Sequence, residues 1–162
     1  MFRFLGFPSS SSPTDLITSQ LFDQKTFYEA LLRDLHRCRN ELIIESPFIT
    51  TKRIYSLLPT FEKLRRRRIK ILVNTRDPLE HEYSYRLQAE DAVARLQTLG
   101  VEVVYTGGHH RKLVVLDRSI LWEGSLNILS QNDTSEIMRR IKSPVLAQQM
   151  IDFLKIEQYL VQ

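Results

Sequence analysis

Residues 107–127 read GGHHRKLVVLDRSILWEGSLN, a stretch in which short apolar runs alternate with groups of polar residues. The apolar runs at 113–116 and 120–122 have the length and the branched, aliphatic composition of buried strands. Residues 117–119, Asp-Arg-Ser, lie between them and favour a tight turn. The stretch therefore predicts a β-hairpin with polar residues at its open end.

The polar residues at this open end form two pairs with the same spacing. His110 and Lys112 are two residues apart, so on a strand their side chains project to one face. Ser125 and Asn127 have the same relation, provided that the chain stays extended past Gly124. A hairpin would then bring an imidazole, an ammonium, a hydroxyl and an amide together. This set suits a phosphate oxyanion, and the small Gly124 would let a phosphate approach the backbone.

The complete spacing is H-x-K-x4-D, then six residues, then G-S-x-N. It resembles the phospholipase D superfamily, whose signature is an HKD motif followed by GSxN. The resemblance covers residues 41–141 best, and the motif block is its specific part. It implies a phosphodiesterase in which one histidine attacks phosphorus to form a phosphohistidine, a second histidine protonates the leaving oxygen, and water releases the product.

Each motif residue has an expected role in such a site. His110 is the expected nucleophile, and Lys112 supplies positive charge to the phosphate. Ser125 and Asn127 supply hydrogen-bond donors. The resemblance implies a structural role for Asp117, which ties down the turn.

The resemblance also implies an acidic residue that hydrogen-bonds the far nitrogen of the motif histidine. Such a partner fixes the tautomer and stabilises the imidazolium. Glu136 is the first choice for this role, and Asp133 and Glu123 are the alternatives. His109 is one residue out of register with the motif, so it is expected to face the other way.

The rest of the chain alternates between helix and strand patterns. Pro59 is expected to interrupt or restart the second helix, Gly100 to close the third, and Pro144 to open the last. This alternation favours an α/β sandwich with a mixed, mostly parallel sheet flanked by helices. Residues 1–20 are expected to form a flexible tail, and 21–162 the phospholipase D-like domain. Beyond the hairpin, the patterns predict helices at 24–38, 50–68, 82–99 and 144–160, and strands at 41–46, 69–75, 101–105 and 136–141.

The composition fits one soluble domain with an ordinary core, since 43% of the 162 residues are hydrophobic and 26% charged. The net charge of +4 agrees with a polyanionic partner without requiring one. Cys38 is the single cysteine, which excludes an internal disulfide and favours a reducing, cytoplasmic compartment. No stretch approaches the ~20 apolar residues of a membrane span. The apolar tip at residues 2–7 could contact a membrane peripherally, although packing against the domain or a partner is the simpler interpretation.

The basic residues suggest, more weakly, where nucleic acid would bind. Arg65, Arg66, Arg67 and Arg68 form a run that could follow phosphates, and Arg111 could extend it. The alternative is a solvated helix end, where cations offset the helix dipole. No zinc-binding spacing, cysteine cluster or paired-carboxylate motif is present, so no metal or other cofactor is expected.

The chain holds one HKD motif, whereas members of the superfamily use two in one site. A homodimer with a two-fold axis at the active site would supply the second motif. We therefore expect a metal-independent phosphodiesterase that cleaves nucleic acid, with DNA favoured over RNA. The alternatives are a phospholipase D-type lipid hydrolase and a nucleic-acid-binding subunit that works with a helicase or repair partner.

Overall fold

The structure is a computed structural model, and it describes residues 18–130 and 134–160. Seven strands and five helices follow one another along this part of the chain. A short 3-10 turn at Pro78–Glu80 precedes the third helix. The strands are Thr18–Asp23 (β1), Glu41–Glu45 (β2), Lys70–Thr75 (β3), Glu102–Tyr105 (β4), Leu113–Leu116 (β5), Ile120–Gly124 (β6) and Ile137–Lys142 (β7), and the helices are Phe27–Arg37 (α1), Thr51–Arg66 (α2), Tyr83–Thr98 (α3), Pro144–Leu154 (α4) and Glu157–Leu160 (α5).

All seven strands form one sheet in the order β1-β7-β6-β5-β2-β3-β4. The predicted α/β class, with a mixed sheet flanked by helices, is confirmed. The balance of strand directions differs from the prediction, because only the β2–β3 and β3–β4 pairs are parallel and the other four pairs are antiparallel. Helical crossovers through α2 and α3 permit the parallel pairs, whereas the short turn between β5 and β6 requires antiparallel pairing.

Helices cover both faces of the sheet. The larger core cluster joins α1, α2 and α3 to one face, which carries Leu42, Ile44 and Val114. The smaller cluster joins α4 to the other face, which carries Ile43 and Val115. Since successive side chains of a strand point to opposite faces, β2 is buried along its whole length.

Three details of the predicted elements require correction. Strand β1 was not predicted, and it places residues 18–20 of the expected tail in the sheet, paired with β7; residues 1–17 lie outside the described residues. Helix α2 continues through Pro59, because the burial of Ile54, Leu57 and Phe61 along the helix outweighs the lost backbone bond. The last predicted helix is divided at Lys155, which adopts a left-handed conformation with φ 54°.

One end of the sheet brings the motif residues together. Glu45, the last residue of β2, pairs with Leu113, the first residue of β5, which in turn pairs with Glu123 of β6. The residues just before β5 and just after β6 therefore meet at the end of the sheet where β2 ends. The predicted site lies at this end of the strands.

Candidate active site

His110 and Lys112 lie in the segment that leads into β5, and the structure brings their side chains into contact. The Lys112 ammonium lies 2.9 Å from His110 Nδ1 and donates to the His110 carbonyl oxygen at 2.8 Å. The ammonium also lies 3.3 Å from Nε2, so the positive charge is held against the imidazole ring. His110 is exposed and Lys112 is buried. A substrate can therefore reach the exposed ring, and the buried lysine contacts the ring from the protein side.

Burial has a direct electrostatic effect on Lys112. It lowers the pKa of this lysine from 10.5, and the nearby negative charge of Glu136 opposes the shift. The backbone carbonyl of Lys112 also accepts a hydrogen bond from the Gly124 amide at 3.2 Å. The first half of the motif is thus tied to the second through both charge and backbone.

A groove of about 510 Å³ joins Lys112 to the end of β6. Gly124, Ser125 and Arg139 are among the residues that line it. The Ser125 hydroxyl donates to the Glu136 carboxylate and accepts from the Ile137 amide at 3.1 Å. The structure therefore brings Ser125 to the lysine, as predicted, and gives its hydroxyl an acidic partner.

Asn127 is not among the residues that line this groove, and its relation to Ser125 differs from the predicted one. Strand β6 ends at Gly124, and the chain turns, so that Ser125 and Asn127 are not related by strand alternation. The turn forms because Leu126 and Ile128 enter the larger core. Asn127 is partly buried, and no hydrogen-bond partner among the described residues reaches its Oδ1.

Glu136 immediately precedes β7 and is partly buried. Its carboxylate accepts from Ser125 and from Thr134, the latter at 2.6 Å, and its amide donates to Gln24 Oε1 at 3.0 Å. These contacts, with its effect on Lys112, place an acid beside the motif. A hydrogen bond from a His110 ring N–H to the Glu136 carboxylate stays a prediction. Of its rivals, Glu123 lines the groove and Asp133 lies outside the described residues.

Asp117 lies in the turn between β5 and β6, at the opposite end of the hairpin from His110. Its carboxylate accepts the backbone amides of Arg39, Asn40 and Glu41 at 2.8, 2.7 and 3.1 Å. Burial alone would raise the pKa of Asp117, but these amides together hold it below the ordinary 3.8. The aspartate fastens the hairpin turn to the loop before β2, which is a structural function.

Gly124 is required by packing. A Cβ at this position would lie 2.1 Å from the Ile137 carbonyl oxygen and 2.9 Å from Met138 Cα. Backbone atoms of β7 cannot move aside as a flexible side chain could. The close approach of β7 to β6 therefore explains the glycine without a phosphate.

Residues 31–156 match the family described as "Cardiolipin synthase, PLD-like domain". The chain belongs to the phospholipase D superfamily. No curated protein matches it.

Several solved structures share the fold. Nuc from Salmonella typhimurium, described as a phospholipase D family member, has a TM-score of 0.71 at 12% identity, covering 86% of this chain and 92% of Nuc. NucT from Helicobacter pylori has a TM-score of 0.69 at 13% identity, covering 86% and 94%. Phosphatidylserine synthase from Haemophilus influenzae has a TM-score of 0.66 at 14% identity, covering 94% of this chain and 41% of the synthase. Superfamily membership supports a phosphodiesterase or phosphoryl-transfer enzyme.

The arginine run is separated from the HKD motif. It ends α2 beside Lys70, which pairs with the first residue of β2, whereas Lys112 lies beyond the last. These ends are roughly 13 Å apart along the strand. Arg65 donates to the Leu99 and Ile69 carbonyls, and Arg67 to those of His36 and Cys38. Arg66 and Arg68 are the exposed members of the run whose guanidinium groups are not engaged in this way.

Arg111 does lie at the motif, but its guanidinium forms an ion pair with Glu45. Glu45 is fully buried, and His109 is buried beside the pair, where desolvation lowers the pKa of this histidine. Sequence reasoning did not identify Glu45. The available signal was a carboxylate at the end of an otherwise apolar strand, where a buried charge needs a partner.

Residues 18–130 and 134–160 bear on two other types of site. Within these ranges, no group of three His, Cys, Asp or Glu side chains is arranged to hold a metal ion. Across the same ranges, no helix combines the length and apolar character needed to cross a membrane.

Proposed function

We propose that this protein is a phosphodiesterase that cleaves nucleic acid, with DNA favoured over RNA, by a metal-independent route. The observation that carries the proposal is the contact between the exposed His110 ring and the Lys112 ammonium, 2.9 Å apart, beside a groove lined by Ser125. An imidazole beside a fixed cation can attack phosphorus while the cation stabilises the developing negative charge.

The reaction has two displacements. A ring nitrogen of His110 attacks phosphorus, a P–N bond forms, and the bond from phosphorus to the leaving oxygen breaks. His110 of the partner subunit donates a proton to that oxygen. The same group then takes a proton from water, which attacks the phosphohistidine, breaks the P–N bond and restores the first imidazole.

A homodimer is part of this proposal, because each chain carries one HKD motif. Two apolar residues that line the groove support a contact with a partner subunit. Leu21 is 61% exposed and Ile137 is 62% exposed. Two histidines facing one phosphate disfavour double protonation, so the pair can share one proton. One ring is then the nucleophile and the other the acid.

The choice of nucleic acid rests on electrostatics and on the shape of the site. The net charge is +4, and the groove at the motif is shallow and bordered by Arg139. An open, basic groove can accommodate a polymer that continues beyond the reacting phosphate.

The decisive experiment presents the purified protein with labelled single- and double-stranded DNA and RNA in EDTA. Cleavage of nucleic acid under these conditions, lost in His110→Ala, would support the proposal. Binding without turnover would favour a nucleic-acid-binding subunit that works with a helicase or repair partner. Cleavage that stops in EDTA and returns with added metal would contradict the metal-independent route.

A second candidate is a lipid phosphodiesterase, because a different groove favours it. This apolar groove of about 450 Å³ runs between the sheet and α4. It begins at Arg111 and is lined by Leu121, Met150 and Phe153 among others, so an acyl chain would fit its chemistry. Phospholipid vesicles, included in the same assay, test this candidate: release of headgroup without cleavage of nucleic acid would favour it.

A further inference from the structure

The middle residue of the H-x-K motif forms an ion pair with a buried carboxylate, although its own side chain is 39% exposed. Arg111 donates through Nε to Glu45 Oε2, and through Nη2 to Oε1 at 3.2 Å. This two-point contact fits the planar guanidinium and cannot be reproduced by a lysine. The two-point contact therefore fixes the direction of the Arg111 guanidinium toward Glu45.

Glu45 is itself firmly held. Its side chain is 0% exposed, and Oε1 accepts a further hydrogen bond from Asn74 Nδ2 at 2.9 Å. Asn74 lies on β3 and also donates to Thr106 at 3.0 Å, just beyond β4. The carboxylate thus connects the ends of three neighbouring strands to the motif.

Strand geometry explains how this pair acts on the motif. Glu45 pairs with Leu113, and Arg111 lies two residues before Leu113, so both charged side chains can occupy one face of the sheet. His110 and Lys112 flank Arg111, and their side chains contact each other. Fixing the Arg111 side chain therefore limits how the backbone at 110–112 can rotate.

We propose that Glu45 and Arg111 form a positioning pair that holds His110 and Lys112 in their reactive arrangement. Arg111 is then a residue that orients the motif and does not contact phosphate. This inference deepens the proposed function and rests on it where catalysis is concerned. It also makes a statement about the arrangement of His110 that can be tested without activity.

The first test is a double-mutant cycle with Glu45→Gln, Arg111→Gln and the double variant. The double variant leaves no unpaired buried charge, so it remains informative if a single variant folds poorly. Because a displacement of about 1 Å can cost about 100-fold in rate, each single variant should lower kcat by up to that factor with little change in KM. Since both act through one contact, the double variant should be no slower than the slower single variant.

The second test separates positioning from phosphate contact by salt dependence. A phosphate contact at Arg111 predicts that Arg111→Gln weakens binding and reduces the log–log salt slope by about 0.9 on duplex DNA. The positioning pair predicts an unchanged slope. Arg33→Gln is the matched control, because Arg33 is an exposed arginine on α1, paired with Glu29, away from the motif. A reduced slope with unchanged kcat, or multiplied losses in the cycle, would overturn the proposal.

The third test needs no substrate. The histidine ring resonances of ¹⁵N-labelled protein should change for His110 in Arg111→Gln and in Glu45→Gln, and remain unchanged in Arg33→Gln. If the wild type cleaves nothing, the proposed function fails, and this measurement decides the positioning claim alone. Unchanged His110 resonances in both folded variants would refute it.

Discussion

The Lys112 ammonium lies 2.9 Å from Nδ1 of His110, and the lysine is buried whereas the histidine is exposed. The charge is therefore fixed by the protein, and the ring is presented to the solvent. In the free protein the lysine contacts the histidine ring. In the proposed mechanism the same ammonium also contacts the bound phosphate. The following experiments examine this pair and the residues around it.

His110→Ala should abolish cleavage, because it removes the imidazole that is proposed to form the P–N bond. The measurement is kcat with the best nucleic acid substrate, together with circular dichroism to verify folding. His36→Ala is the matched control, since His36 is exposed on α1. His109→Ala is a poorer control, because His109 is only 6% exposed and its loss would disturb the packing. Equal loss in His110→Ala and His36→Ala would remove the assignment.

The proton-donating histidine of the proposed mechanism gives the pH–rate profile one alkaline limb, and loss of the Lys112 charge should add a second one. Burial lowers the pKa of Lys112, so its charge is lost at a lower pH than the ordinary 10.5. The decrease in kcat/KM that Lys112 causes should therefore occur at a pH lower than 10.5. Lys112→Arg should remove this second limb at reduced rate, because a guanidinium stays protonated. Lys70→Arg, at the far end of the sheet, should keep it. A second limb that persists in Lys112→Arg would assign it to another group.

Asp117→Asn should weaken the fold more than the chemistry. Losing a carboxylate that accepts three backbone amides should lower the free energy of unfolding by about 1.5–3 kcal/mol at neutral pH. The folded-state pKa lies below 3.8, so this contribution is present above pH 3.8 and is lost as the pH falls through the folded-state value. Urea unfolding at neutral and acidic pH measures it. A variant with unchanged stability and lost kcat would instead indicate a catalytic role.

The exposed arginines Arg66 and Arg68 should not contribute to binding at the active-site end of the sheet. They lie at the other end of the central strands, so Arg66→Gln/Arg68→Gln should leave the salt slope unchanged with an oligonucleotide that covers only the motif end. Binding measured across a salt series tests this. A slope reduced by about 1.4 to 1.8 would show that both arginines reach phosphates.

The shared active site leads to a prediction that one experiment can refute. If two copies of His110 serve one phosphate, a mixed dimer of wild type and His110→Ala lacks one of the two roles. Activity after full subunit exchange should then fall as the square of the wild-type fraction. Native mass spectrometry of differently tagged chains verifies the exchange. A linear fall, or an active monomer, would refute the shared site and leave His110 as nucleophile.

Local patterns determined much of the result. The hairpin, its turn and the spacing of His110, Lys112, Gly124 and Ser125 are fixed by neighbouring residues, because side-chain alternation and turn chemistry act over a few positions. The same reasoning predicted four helical regions and most strands. It could not predict β1, whose residues TSQLFD are mostly exposed and gain their structure by pairing with β7, over a hundred positions away.

The tertiary structure alone decided which charges meet at the site. The sequence suggested that Arg111 binds nucleic acid, but folding places Glu45, 66 positions earlier, against its guanidinium. It also turns the chain after Gly124, because Leu126 and Ile128 are buried in the core. Both outcomes depend on contacts between distant segments, and a buried carboxylate is tolerated only where folding supplies its partner. A motif spacing can therefore identify the reacting groups, whereas the contacts that orient them arise only when the strands pair.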